Sequence, residues 1–138
     1  MRLIFLLSCV ILFLGCSTSF EETLHTTLKL SANEMNSIQE LEGTFKVVNG
    51  TSETKTIEFA TGCHFVFTIE KDGKEVFNSL ASALCTQEIT EIEIAPYKEI
   101  EFQISISQEF ELEPGKYELK AFLIGHDDLK SSKTFTLR

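Results

Sequence analysis

The chain has 138 residues, of which 21 are acidic and 12 are basic, and its formal net charge is −9. This excess of negative charge disfavours binding to nucleic acids and to anionic lipid headgroups, because both attract proteins through Lys and Arg side chains. The length suits one compact domain with one hydrophobic core.

The first 15 residues resemble a bacterial lipoprotein signal peptide. Arg2 gives the segment a positive start, residues 3–14 are strongly apolar, and Gly15 is the small residue expected beside a modified cysteine. The apolar run is too short to span a bilayer, which takes about 20 residues. We therefore predict that residues 1–15 are a signal that is removed.

Cys16 follows this signal and is the predicted lipidation site, whose acyl chains would anchor the protein to a membrane. Residues 16–23 then form a lipidated tether and residues 24–138 the folded domain. Ser17 is not the Asp associated with retention in the inner membrane. We expect a location in the bacterial cell envelope, at the outer membrane if the source is Gram-negative. An ordinary secretory signal that leaves Cys16 unmodified is the alternative.

Beyond the tether, apolar and polar residues alternate, which is typical of strands with one face in a core. The clearest run places Ile100, Phe102, Ile104 and Ile106 inward. Another run places Cys63, Phe65, Phe67 and Ile69 inward and His64, Val66, Thr68 and Glu70 toward solvent. Shorter runs are Leu28 with Leu30, Phe45 with Val47, Ile57 with Phe59, Ile92 with Ile94, Tyr117 with Leu119 and Ala121, and Phe135 with Leu137.

Turn residues separate these runs. Asn49-Gly50 supplies residues that tolerate a positive φ, and Asp72-Gly73 is typical of a two-residue hairpin. Pro114-Gly115 marks another turn, and residues 125–128 fit a hairpin that joins the last two strands. Seven to nine short strands without a helix of useful length predict an all-β protein, an immunoglobulin-like antiparallel β-sandwich.

Two cysteines remain in the predicted mature domain, because Cys9 lies in the signal and Cys16 carries the lipid. In an exported protein, the pair Cys63 and Cys85 is most simply a disulfide. A zinc site is the alternative, but His64 alone stands beside the thiols, which falls short of a zinc pattern. The disulfide would stabilise the fold by about 3 kcal/mol on the chain-entropy model.

Three exposed loops, residues 49–54, 78–84 and 125–131, are candidates for binding a partner, since rigid scaffolds often carry their binding surfaces on loops. The predicted partner-binding loop consists of Asn78, Ser79, Leu80, Ala81, Ser82, Ala83 and Leu84. It could form a helical turn, and its position before Cys85 suggests a crossover between sheets that the disulfide braces.

No pattern in the chain predicts catalysis or a bound cofactor. The serines lie in no nucleophile elbow, and the 3 histidines lack the context of a catalytic triad. His126-Asp127-Asp128 is the cluster most like a metal site, yet turn residues of this kind favour a polar hairpin tip. We predict no enzyme activity, no catalytic residue, no metal and no cofactor.

Five segments follow one another within residues 48–117. They are Val48-Asn49-Gly50-Thr51, the run from Ile57 to Cys63, Phe65-Val66-Phe67, the run from Asp72 to Phe77, and Pro114-Gly115-Lys116-Tyr117. In their order and spacing these segments resemble the intracellular proteinase inhibitor family, the BsuPI-like domain. The resemblance implies an immunoglobulin-like sandwich and inhibition of a serine protease. The chain departs from the family at Val66, where an Asp is usual, and at Phe77, where a Trp is common.

Two functions follow as expectations. The first is a lipid-anchored envelope domain that binds another protein, with inhibition of a serine protease implied by the resemblance. The second is a structural or accessory envelope lipoprotein that bridges partners without inhibiting anything. A carbohydrate-binding role is disfavoured because the chain contains no Trp, the residue most typical of sugar platforms.

Overall fold

The computed structural model of the protein describes residues 23–138. The predicted signal peptide, the predicted lipidation site Cys16 and the tether up to residue 22 lie outside the described residues. The proposed domain boundaries therefore stay a prediction. In the part of the chain that is described, no helix has the length and apolarity needed to cross a membrane.

The described residues form ten strands and one short 3₁₀ turn. In chain order they are β1 (Leu24–Leu30), β2 (Glu34–Met35), the 3₁₀ turn Ile38–Glu40, β3 (Glu42–Asn49), β4 (Lys55–Phe59), β5 (Phe65–Lys71), β6 (Lys74–Asn78), β7 (Thr90–Ile94), β8 (Glu99–Ser105), β9 (Gly115–Leu123) and β10 (His126–Leu137). The count exceeds the predicted seven to nine partly because β2 has two residues and so shows no alternation.

The strands pair into three sheets, in the orders β1-β3-β8, β2-β10-β9-β5-β6 and β4-β7. Neighbouring strands are antiparallel, with the exception of the short β2, which runs parallel to β10. The predicted all-β antiparallel sandwich is confirmed. The immunoglobulin-like arrangement of its strands stays a prediction.

One core joins the sheets. Strand β3 alternates as the sequence predicts, with Phe45 and Val47 fully buried. The ring of Phe45 stacks at 5.3 Å on that of Phe65 from the five-stranded sheet, so the two sheets meet face to face. Burying a side chain of this size contributes about 2–3 kcal/mol, which makes this core the main source of stability.

The predicted solvent face of β5 is wrong at two positions. Val66 and Thr68 are 4% and 6% exposed. They lie opposite Phe122 and Lys120 of the adjacent β9, whose long side chains stand beside them on that face. A central strand is therefore buried on both faces although its sequence alternates.

The ends of two predicted strands also differ from the structure. Strand β5 begins at Phe65, so Cys63 precedes it, and β8 ends at Ser105. Ile106 lies outside β8 but is 8% exposed, because a residue that leaves a strand can still point into the core.

Two of the predicted hairpins form. Asp72 and Gly73 both have a positive φ, 52° and 77°, between the paired ends of β5 and β6. The last hairpin turns at residues 124–125, where Gly125 has a φ of 80°. Asp127 and Asp128 are thus not at the tip as predicted but in an irregularity of β10 between His126 and Lys130.

Candidate functional site

The predicted partner-binding loop leaves β6 and leads to β7, so it crosses from the five-stranded sheet to the two-stranded sheet as expected. Two successive turns shape its first half, because Ala81 N–H donates to Asn78 O and Ala83 N–H donates to Leu80 O, each at 3.1 Å. We call residues 78–86 the Leu84 loop.

Side chains and backbone fix the first half of the Leu84 loop to β5. Ser79 N–H donates to Phe67 O at 3.0 Å, and Phe67 N–H donates to Ser79 Oγ at 3.0 Å. Further along, Gln108 Nε2 donates to Ser82 Oγ at 2.9 Å from the segment that follows β8. The loop is therefore held on the amino side of Leu84.

A disulfide fixes the second half. Cys63 and Cys85 are bonded with their Cα atoms 5.3 Å apart, which confirms the predicted pairing and leaves no thiol for the zinc alternative. Beside it, Gly62 N–H donates to Thr86 O at 2.9 Å. A Cβ at position 62 would lie 2.1 Å from Thr86 Oγ1, so a larger residue there would force the Thr86 side chain to move.

Leu84 stands between these anchors and is 100% exposed. Burial of a leucine side chain contributes about 2 kcal/mol or more, and none of this is realised within the domain. Ile89, which lies outside the Leu84 loop, is 73% exposed. Residues 81–89 are all exposed and contain one ionisable side chain, Glu88. The loop thus presents apolar surface on a fixed backbone.

The first candidate loop, residues 49–54, has a different character. Asn49 is 0% exposed, and its Nδ2 donates to the backbone oxygens of Glu53, Ile94 and Ala95 at 2.8, 2.9 and 3.1 Å. Its Oδ1 accepts from the N–H and the hydroxyl of Thr51 at 3.0 and 2.7 Å. Asn49 therefore organises this end of the domain.

Neither Asn49 nor Gly50 adopts the positive φ that these residue types tolerate. Asn49 is the last residue of β3. The asparagine begins the turn through its side-chain hydrogen bonds, which need no unusual backbone conformation. The positive φ appears instead at Tyr97, with 56°, in the neighbouring connection between β7 and β8.

His126 of the third candidate loop is occupied by structural contacts. Its Nε2 lies 2.7 Å from Glu58 O, and since a carbonyl only accepts, this nitrogen carries the proton. The ring meets the edge of Phe59 at 5.3 Å. Among residues 23–138, no group of three or more His, Cys, Asp or Glu side chains is placed to hold a metal ion.

His64 is not the surface residue that the alternation predicts. It is half-buried, with its ring 4.4 Å from that of Phe59. Its Nε2 lies 2.8 Å from Thr90 Oγ1, and the Thr90 hydroxyl donates its own proton to Thr61 O at 2.8 Å. His64 Nε2 is therefore the donor, and the residue ties β7 to the segment before β5.

The third candidate loop borders an open depression of about 590 Å³ on the outer face of β9 and β10. Lys120 and Lys130 line it together with Glu118, Asp127 and Phe122. Lys120 is ion-paired with a glutamate of β5, and this contact raises the pKa of Lys120. Charges of both signs and an open shape favour no particular class of ligand.

Sequence reasoning found the loop and the disulfide but missed the residues that hold them. Gly62 and Gln108 are distant from the predicted loop in the chain, and Thr86 lies just beyond its end, so all three become visible as anchors only in three dimensions.

Among curated proteins, none matches the chain. A β-glucosidase from Erythrobacter marinus is among the similar solved structures, with 12% identity and a TM-score of 0.49. That match covers 84% of this chain and 15% of the other chain, so the chain spans a small part of that enzyme's length.

A family model gives the clearer result. The model of the BsuPI family, described as intracellular proteinase inhibitor, matches residues 27–127. This range extends from β1 to the start of β10 and includes the whole Leu84 loop. The chain belongs to the BsuPI family of proteinase inhibitors.

Proposed function

We propose that the protein is a lipid-anchored inhibitor of a serine protease in the bacterial cell envelope and that the Leu84 loop is its contact surface. The observation that carries this proposal is the complete exposure of Leu84 between two anchored stretches of backbone. Membership of the BsuPI family supports a protease as the partner.

The construction of the loop suits insertion into a cleft. A partner gains most from a central apolar anchor that fills a pocket, and Leu84 is such an anchor. Because the turns, the Ser79 clamp on β5 and the disulfide already fix the backbone, binding would cost little conformational entropy. The apolar anchor and the low cost in conformational entropy both favour tight binding by a small contact surface.

Two features support a place outside the cytoplasm. The amino-terminal pattern favours export and lipidation at Cys16. A disulfide between Cys63 and Cys85 persists in oxidising compartments and is rare where thiols are kept reduced. We infer a different compartment from the one in the family's name, and hence a protease of the envelope as the target.

The role is binding, without chemistry by this protein. His64 and His126 both use Nε2 to support the fold, so neither is free at that atom to act as a general base. No cofactor is needed for inhibition by a loop.

The test is inhibition of a panel of subtilisin-like and trypsin-like serine proteases by the purified, oxidised protein. We expect submicromolar inhibition of at least one enzyme, competitive with a ligand of its active site. A protein that stays intact with the proteases yet inhibits none would overturn the proposal. The accessory role would then stand, and its partner would be sought by pull-down from the envelope.

A further inference from the structure

We propose that Leu84 is the specificity-determining residue and enters the apolar pocket that receives the residue on the acyl side of the cleaved bond. This inference rests on the proposed function and adds the class of protease and the bond presented to it. The Leu84–Cys85 peptide bond would then lie at the nucleophilic serine of the protease.

Leu84 has the position that such a role needs. The disulfide begins at the next residue, Cys85, and holds it to Cys63. On the other side, Ser82, which is two residues before Leu84, accepts a hydrogen bond from Gln108 Nε2. Leu84 and its carbonyl therefore lie in a short span fixed at both ends, with the side chain directed wholly into solvent.

The sequence around the loop selects the class of pocket. No Lys or Arg occurs from residue 75 to residue 97, so the loop offers no cation to the acidic pocket of a trypsin-like enzyme. Within residues 78–86, Leu84 is the exposed large apolar side chain. A protease with an apolar primary pocket is the partner that this surface fits.

The same anchors explain why attack by the protease would leave the protease inhibited and would not destroy the loop. The protease serine oxygen would bond to the Leu84 carbonyl carbon, the bond to Cys85 nitrogen would break, and the serine proton would pass through the protease histidine to that nitrogen. Cys85 stays joined to Cys63, and Leu84 stays joined to the bonded turn before it. The new amine is thus held beside the acyl group, where it can reform the peptide bond.

The experiment compares Leu84→Lys with the matched control Ile89→Lys in the oxidised protein. Inhibition is measured against a chymotrypsin-like enzyme with an apolar pocket and against trypsin. We expect Leu84→Lys to weaken inhibition of the first enzyme by about 30-fold or more, as for a central anchor, and to create inhibition of trypsin. Ile89→Lys should change the inhibition of either enzyme by less than about threefold.

A second measurement identifies the bond. After long incubation with the chymotrypsin-like enzyme, reduction should release one fragment ending at Leu84 and another beginning at Cys85, while the unreduced protein stays in one piece. Thermal unfolding shows whether each variant is folded, and Leu84 is fully exposed, so we expect no change.

The outcomes separate the two proposals. If the wild type inhibits and Leu84→Lys behaves as the wild type does, or if both lysine variants lose inhibition equally, Leu84 is not the specificity residue and the proposed function stands. Cleavage at a bond other than Leu84–Cys85 would likewise show that Leu84 is not the specificity residue and would leave the proposed function standing. If the wild type inhibits no protease, the proposed function fails and this inference fails with it.

Discussion

The Leu84 loop and residues 49–54, which we call the Asn49 loop, are both irregular connections in the same sandwich, yet they are fixed by opposite means. The Asn49 loop is held from inside, by one buried amide that makes five hydrogen bonds. The Leu84 loop is held at its ends, by a disulfide and by hydrogen bonds, and its centre is exposed.

This difference indicates different purposes. The Asn49 loop consists of Asn-Gly-Thr-Ser-Glu-Thr and so contains no large apolar side chain to offer a partner. A covalent link at the edge fixes backbone and leaves the neighbouring side chain free. Of the two loops, the Leu84 loop is the one that keeps a leucine side chain in water, so the free energy of burying that side chain is available to a partner.

The largest effect should come from Asn49→Ala, which breaks the interior support. Three backbone oxygens and the Thr51 N–H lose their partner inside the protein, so we expect the free energy of unfolding to fall by about 4 kcal/mol. Urea unfolding measures this, with the exposed Asn36→Ala as the control expected to change little. A loss below about 1 kcal/mol would show that Asn49 is not the organiser of its loop.

The double variant Cys63→Ala with Cys85→Ala breaks the external support. We expect the free energy of unfolding to fall by about 3 kcal/mol, because the unfolded chain regains the freedom that the link removes. The folded variant should also lose protease inhibition, since Leu84 is then presented on a looser loop. Unchanged inhibition at a temperature where the variant is folded would mean that the brace does not serve binding.

Gly62→Ala tests the close contact with Thr86 at the edge of the Leu84 loop. The added Cβ meets Thr86 Oγ1 at 2.1 Å, and rotation of the threonine relieves part of the clash. We expect a loss of about 1 kcal/mol in unfolding free energy. Adding Thr86→Ala should recover most of it, as a double-mutant cycle would show. If the second substitution recovers nothing, the contact is not the cause.

The smallest effect concerns the surface away from both loops. Hydrogen bonds from Lys46 to Glu101 and Glu99, at 2.8 and 2.9 Å, raise the pKa of Lys46 above its ordinary value. Its contribution to stability is thus fully present below the ordinary lysine pKa of about 10.4 and is lost as the pH rises through the higher folded value. The stability difference between wild type and Lys46→Met should be constant from pH 7 to about pH 10 and should shrink above it. A difference that grows in alkali would contradict this assignment.

Much of the fold could be predicted from alternation and turn chemistry, because both act locally. The Asp72-Gly73 hairpin and the inward face of β3 form as their residues indicate. The burial of Val66 could not be predicted, since it depends on which strands lie on either side of β5. Sheet order is a long-range property that one strand's pattern does not contain.

The candidate site divides in the same way. Cys63 and Cys85 could be paired because export and an even count leave few alternatives. The exposure of Leu84 follows from the predicted exposed loop, but the hydrogen bonds that hold this loop through Ser79 and Gln108 could not be predicted, because their partners are distant in the chain. The role of Asn49 was also hidden, because its partners at Ile94 and Ala95 are distant in the chain.

The central claim is that the Leu84 loop, and not the Asn49 loop, is the surface that meets the protease. Amide hydrogen exchange tests this claim most directly. It is measured on the protein alone and on its complex with a protease that it inhibits, whose nucleophilic serine has been replaced by alanine. We predict slower exchange in residues 78–86 on binding and unchanged exchange in residues 49–54. Slower exchange in residues 49–54 or 125–131, with none in residues 78–86, would contradict the account.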